Sequence, residues 1–186
     1  MILQKRYNYR GGNQFFPRIN KDRTVYFFEE VTSQSANLLI ESLLELDRDK
    51  KKRPITMYIC SPGGDCGSGF AIIDIIHTLR CPVRAVAVGE ICSMAPAIFV
   101  ACKERLITPH TYVMLHPVST YSSDYVQFAK SRLKQAEDLE EIYDSYFFKR
   151  TSIPKDVYNK CKNSELWLTA AEAIKYGIAT KLTKQT

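Results

Sequence analysis

The sequence predicts an α/β domain organised around a mostly parallel sheet, and two patterns carry that expectation. From residue 24 onward, short β-branched and aromatic runs alternate with longer apolar stretches at helical spacing, the order that gives right-handed crossovers between parallel strands. The strand-like runs are apolar on both faces, as in a sheet covered by helices on either side. A chain of 186 residues that is 45% hydrophobic and 25% charged is large enough to bury one such core without staples.

Taken in order, Thr24 to Phe28 reads as a buried strand. Thr32 and Ser33 offer caps for a helix whose apolar residues are Ala36, Leu38, Leu39, Ile40, Leu43, Leu44 and Leu46. A second strand, Ile55 to Cys60, ends at Ser61-Pro62-Gly63-Gly64. A second helix carries Phe70, Ala71, Ile72, Ile73, Ile75, Ile76 and Leu79 and stops before Pro82. A third strand runs from Val83 to Val88 and ends at Gly89; a third helix covers Ser93 to Ala101. Tyr112 to Leu115 is a further strand, followed by a long charged amphipathic helix from Asp124 to about Lys149, longer than an ordinary globular helix and so expected to project or meet a partner. Ala170 to Tyr176, closed by Gly177, is the last helix, and Ile178 to Leu182 a terminal strand.

Composition excludes several classes. The apolar content excludes disorder, and eight Gly with eight Pro exclude collagen-like architecture. The net charge of +6 does not gather on one motif, so no nucleic-acid partner is expected. The run Lys50 to Arg53 reads as a solvated loop before Pro54. No stretch approaches the roughly 18 apolar residues of a membrane span, and Met1 to Gln14 lacks the apolar core of a secretory signal. The six cysteines include no CxxC pair, and several lie within apolar runs. We therefore expect no metal, no disulfide framework and a reducing, cytoplasmic setting.

In a parallel sheet, sites form where strands end and helices begin. Two such junctions carry chemistry. Ser61-Pro62-Gly63-Gly64 lets the backbone adopt φ > 0 or approach a ligand closely, although alone it reads equally as a turn. Gly89-Glu90-Ile91-Cys92-Ser93-Met94-Ala95-Pro96 sets a serine where a helix starts. There the unpaired N–H groups and the positive end of the dipole favour developing negative charge, although alone Ser93 reads equally as an N-cap. Of three histidines, His77 falls in a helix and His110 in a loop. His116 follows the strand Tyr112 to Leu115 directly. A serine at a helix start and a histidine at a strand end are the parts of a nucleophile and its general base.

These motifs, together with Tyr58-Ile59-Cys60-Ser61-Pro62-Gly63-Gly64, Val113-Met114-Leu115-His116, Leu168-Thr169-Ala170 and Tyr176-Gly177, resemble the ClpP family, the proteolytic subunits of ATP-dependent Clp protease. The resemblance extends over nearly the whole chain after residue 17. It implies a ClpP/crotonase-like α/β fold with repeated β-β-α units and a projecting handle helix, here about 124–149. It also implies an axial-loop-like segment at 1–17 ahead of a single peptidase domain at 18–186. By the same resemblance Ser93 is the nucleophile, His116 the general base, and Glu165 stands where the family carries an aspartate that orients the histidine. Gly64 and Met94 would supply the N–H pair of an oxyanion hole. Gly63, Gly64, Asp65 and Cys66 would lie on one substrate-facing strand and Val118 on the other. No cofactor is implied, ATP being used by a partner.

The partners implied are further copies of the chain in a heptameric ring or two stacked rings, an AAA+ unfoldase of the Clp type, a ClpP paralogue, and unfolded polypeptides; neither nucleic acid nor membrane is among them. The sequence departs from the family at Glu165, at Leu166 where an arginine usually joins ring contacts, at Ala95-Pro96 after the nucleophile pair, and at Pro117 beside the histidine. These departures keep a second expectation in play: a weakly active or non-catalytic ClpR-like subunit of a mixed ring. An acyl-CoA-processing crotonase shares the fold but needs no serine–histidine pair at these positions.

Overall fold

The computed structural model describes residues 22–119 and 125–184. The expected axial-loop segment 1–17, together with Asp124, Thr120 and Tyr121, lies outside the described residues. The α/β class holds, with a sheet that is parallel in every pairing but one. Its strands are β1 (Thr24–Phe27), β2 (Ile55–Ser61), β3 (Val83–Cys92), β4 (Glu104–Ile107), β5 (Tyr112–Leu115), β6 (Leu166–Thr169) and β7 (Lys181–Leu182). The helices are α1 (Ser33–Asp47), α2 (Cys66–Thr78), α3 (Met94–Ala101), α4 (Val126–Arg150), α5 (Lys155–Tyr158) and α6 (Ala170–Lys175), with a 3-10 turn at Asn159–Lys162.

Strand β3 organises the sheet. It pairs with β2 along one side; along the other, its first half takes β4 and its second half β5. Strand β5 then carries the antiparallel β6. The sequence places the end of this strand at Gly89, but pairing continues to Cys92. Gly89 sits at φ +66, a conformation open to glycine that redirects the chain without ending it. The register shift between Ile59 and Ser61 on β2 answers this bend. The two halves of β3 thus serve two neighbours, and the second half delivers its last residues to the rim where the candidate site lies.

Local chemistry explains the helix starts. Thr32 and Ser35 form a capping box at α1, and Thr169 and Glu172 another at α6. The Thr169 N–H and hydroxyl hold the Glu172 carboxyl below the usual carboxylate range. The core-facing stripe of α1 is Ala36, Leu39, Leu43 and Leu46, while Leu44 is exposed, so the helix buries fewer of its apolar residues than the sequence suggests. All eight residues of α3 are buried.

The long helix α4 matches the expected handle to within two residues at its start and one at its end. Only Tyr143 and Phe147 of it are buried, stacked 5.8 Å apart. Phe147 also lies 5.9 Å from the Tyr158 ring. Val126, Phe128, Leu133 and Ile142 are exposed along its length. No helix among the described residues is long and apolar enough to cross a membrane.

Candidate active site

Ser93 is the residue between β3 and α3, with φ +58 and ψ −112. A non-glycine residue held at positive φ is strained, and neighbouring bonds fix it there. Its N–H donates to the Met114 carbonyl on β5 at 2.9 Å. Its carbonyl accepts from the Tyr143 hydroxyl of α4 at 2.8 Å. Burial holds the Tyr143 phenol well above its usual value, so it stays a donor. The Ser93 hydroxyl itself caps nothing, so the N-cap alternative fails: the backbone is pinned on both sides while Oγ is left available.

Sheet register brings the other parts alongside. Cys92 pairs with Met114 in the parallel β3–β5 ladder, and Leu115 pairs with Leu166 in the antiparallel β5–β6 ladder. One step beyond each strand end stand Ser93, His116 and Glu165, on three neighbouring strands spaced by about 4.8 Å each. Ser93 and His116 line one cavity of about 60 Å³ with Gly64, Met94, Cys66 and Val118. His116 and Glu165 line a second, open cavity of about 400 Å³. Among the described residues, no hydrogen bond joins the Ser93 hydroxyl to the imidazole. The exposed Glu165 carboxylate accepts from Trp167 Nε1 at 2.9 Å rather than from His116.

The glycine pair fits tightly around Ser93 and its neighbours. Gly63 has φ +88, and a Cβ there would lie 2.5 Å from both the Cys92 carbonyl oxygen and Ser93 Cβ, and 2.8 Å from the Met94 nitrogen. Gly64, at φ +139, abuts the Val31 carbonyl, where a Cβ would come within 2.3 Å. Gly69 of α2 leaves room for the Met94 side chain, which a Cβ would meet at 2.3 Å. The N–H groups of Gly64 and Met94 find no partner among the described residues, as two donors reserved for an oxyanion would.

One expectation needs correcting. Asp65 and Cys66 do not form a substrate-facing strand: Asp65 is the N-cap of α2, accepting from the Ser68 N–H at 2.7 Å, and Cys66 is the first residue of that helix. The short side chain of aspartate, directly after a glycine pair, starts a helix sooner than an extended run. Val118 lines the cavity with Ser93, and it and Ser119 pair with no strand of the chain among the described residues. Cys66 still reaches the cleft, where burial first and Asp65 second raise its thiol above the usual range.

The structure adds residues that sequence reasoning missed. Glu140, Tyr143 and Asp144 of α4, and Tyr158, Cys161 and Lys162 beyond it, share the cavity with Ser93. Lys162 Nζ binds Asp144 Oδ2 at 2.7 Å and also Glu140 Oε1, and the Tyr158 hydroxyl donates to Asp144 Oδ1. Burial pulls the Lys162 ammonium down, but its two carboxylate bonds outweigh this and leave it above its usual value. The i, i+4 spacing of Glu140 and Asp144 was the one sequence signal, since it puts both on one helix face.

A strained serine with a free hydroxyl, a histidine on the next strand and two unused N–H donors make the arrangement of a serine-type hydrolase. The chain belongs to the Clp protease family, a family of serine peptidases, whose model matches residues 9–186. It is 30% identical to the ATP-dependent Clp protease proteolytic subunit of Deinococcus radiodurans over 177 residues, covering 92% of this chain and 85% of the relative. It is 32% identical to the ATP-dependent Clp protease proteolytic subunit 1 of Chlamydia pneumoniae, covering 84% of each. The Porphyromonas gingivalis subunit is 30% identical over 90% of this chain and 76% of its own length.

Proposed function

We propose that the chain is a catalytically competent endopeptidase subunit that cuts unfolded polypeptides inside a self-assembled ring, fed by an ATP-driven AAA+ unfoldase in a reducing cytoplasm. The observation that supports catalysis best is the pinned backbone of Ser93 beside His116 and the two free N–H groups. In the reaction, His116 takes the Ser93 proton as Oγ attacks a peptide carbonyl. The N–H groups of Gly64 and Met94 receive the oxyanion, one such donor being worth about 2.7–4 kcal/mol. His116 then passes the proton to the leaving amine, and water repeats the sequence on the acyl-serine. The exposed apolar side chains of α4 support self-association through the handle, and six unpaired thiols fit a reducing compartment.

A second reading has its own observation: Glu165 is engaged by Trp167, which favours a weakly active subunit completing a mixed ring with a paralogue. One experiment separates the two. An alkyl fluorophosphonate should modify the assembled protein at Ser93, located by peptide mapping, with native mass spectrometry giving the ring size on the same sample. Absence of modification, with or without an unfoldase ring, would leave the structural reading.

Tyr143→Phe removes one hydroxyl while keeping the stacked ring. A net hydrogen bond of about 0.5–1.5 kcal/mol to the strained Ser93 carbonyl predicts labelling about 3- to 10-fold slower, with little change in melting temperature. An unchanged labelling rate would show that the β3 and β5 bonds suffice to hold the serine.

A further inference from the structure

We propose that the cleft beside Ser93 selects a side chain ending in a hydrogen-bond donor at the residue whose carbonyl is attacked, cationic side chains first, and that Glu140 and Lys162 set this preference. The inference rests on the serine-hydrolase reading of the site and names its substrate class.

Two observations carry it. First, the same cavity holds the nucleophile and an ionic group: Ser93, Met94 and His116 come from strand ends and α3, while Glu140, Asp144 and Lys162 come from α4 and the 3-10 turn. A substrate side chain entering from the acylation point therefore meets charged groups as well as the apolar side chains of Met94, Pro117 and Val118. Second, the ionic group is not balanced. Two carboxylates face one ammonium, a net −1, with each charged side chain one-third exposed or less. Both Asp144 oxygens are occupied, by Lys162 and Tyr158. Glu140 uses only Oε1, so Oε2 is left as an acceptor without a protein donor among the described residues.

Each observation excludes something. An acidic side chain would meet like charge at Glu140. An unbranched apolar chain strips water from a carboxylate and returns no hydrogen bond. A lysine or glutamine side chain has the width of that apolar chain and adds the donor that Oε2 lacks.

The test uses peptidyl phosphonate probes that differ only at the residue read by the cleft, in two isosteric pairs: lysine against norleucine, and glutamine against glutamate. Labelling of Ser93 in the assembled full-length protein is followed by mass spectrometry. Lysine should label about 3- to 10-fold faster than norleucine, and glutamine at least 10-fold faster than glutamate. Glu140→Gln, which neutralises the site, should shrink both ratios, and Lys162→Gln, which leaves two carboxylates unopposed, should widen them. A merely structural ion pair would lower all four rates together or move both ratios the same way in the two variants. Either of those results, or norleucine labelling as fast as lysine in the unmodified protein, would overturn the proposal. The alkyl fluorophosphonate, which carries no such side chain, keeps the two questions apart. If it labels Ser93 while the ratios are flat, the selectivity is wrong and the hydrolase stands; if it fails too, both fall.

Discussion

Adding one methyl group at Gly63 is expected to silence Ser93. In Gly63→Ala the new Cβ would stand 2.5 Å from the Cys92 carbonyl oxygen, 2.5 Å from Ser93 Cβ and 2.8 Å from the Met94 nitrogen. Real atoms do not tolerate these distances, and two of the three neighbours are backbone, so no side-chain rotation relieves the clash. The substituted residue would also have to hold φ +88, at a cost of about 1–3 kcal/mol. The junction between β3 and α3 must therefore move, taking with it the nucleophile and a proposed oxyanion donor. Loss of one donor accounts for roughly 100- to 1,000-fold, and a displacement of about 1 Å at the nucleophile for roughly another 100-fold.

The rate of fluorophosphonate labelling should fall by at least about 1,000-fold, with a lower melting temperature and an unchanged helix content by circular dichroism. Gly67→Ala is the control. It lies in the first turn of α2 at ordinary φ, where the nearest contact of a Cβ is 3.5 Å away. It should label at the unmodified rate and stabilise slightly, helix interiors favouring alanine by about 0.5–1 kcal/mol. Labelling of Gly63→Ala at the unmodified rate would mean that the glycine is not what shapes the nucleophile.

The parts of this architecture legible in sequence share one property: their signal is local. The cap at Thr32, the glycine after α6, and the strand-end positions of Ser93 and His116 follow from neighbouring residues. Strand β4 was not foreseen because Glu104 and Arg105 break its apolar pattern; it forms because β3 and β7 pair with it on either side. Three guanidinium bonds from Arg105, to the Cys102, Gly177 and Ile178 carbonyls, tie it to the chain end. The ionic group in the cleft was equally invisible. Glu140 and Lys162 lie 22 residues apart and meet only because α4 folds back over the 3-10 turn. Glu165 shows a different limit: the β5–β6 register sets it next to the end of the His116 strand, but a neighbour two residues away, Trp167, offers a donor that position alone could not reveal.

That competition makes the last prediction asymmetric between His116 and Glu165. If Ser93 and His116 act as one unit, His116→Ala should reduce peptide hydrolysis by about 10⁴-fold or more, and the double variant with Ser93→Ala should be no slower than either single one, since removing a second member of a unit removes nothing further. A double variant markedly slower than both singles would mean that the histidine acts independently of the serine. For Glu165 the outcome depends on whether the carboxylate leaves the indole. The full cost of losing an orienting acid, about 10⁴ where that acid fixes the tautomer, applies only if it does so during turnover. Trp167→Phe removes the competing donor and keeps an aromatic ring beside Tyr112, now 6.4 Å away. If the indole restrains a working triad, Trp167→Phe should raise kcat, and Glu165→Gln placed on top of it should lose more than Glu165→Gln alone. If both leave kcat unchanged, His116 works without an acid partner, and the strained backbone of Ser93 and its two free donors carry correspondingly more of the catalysis.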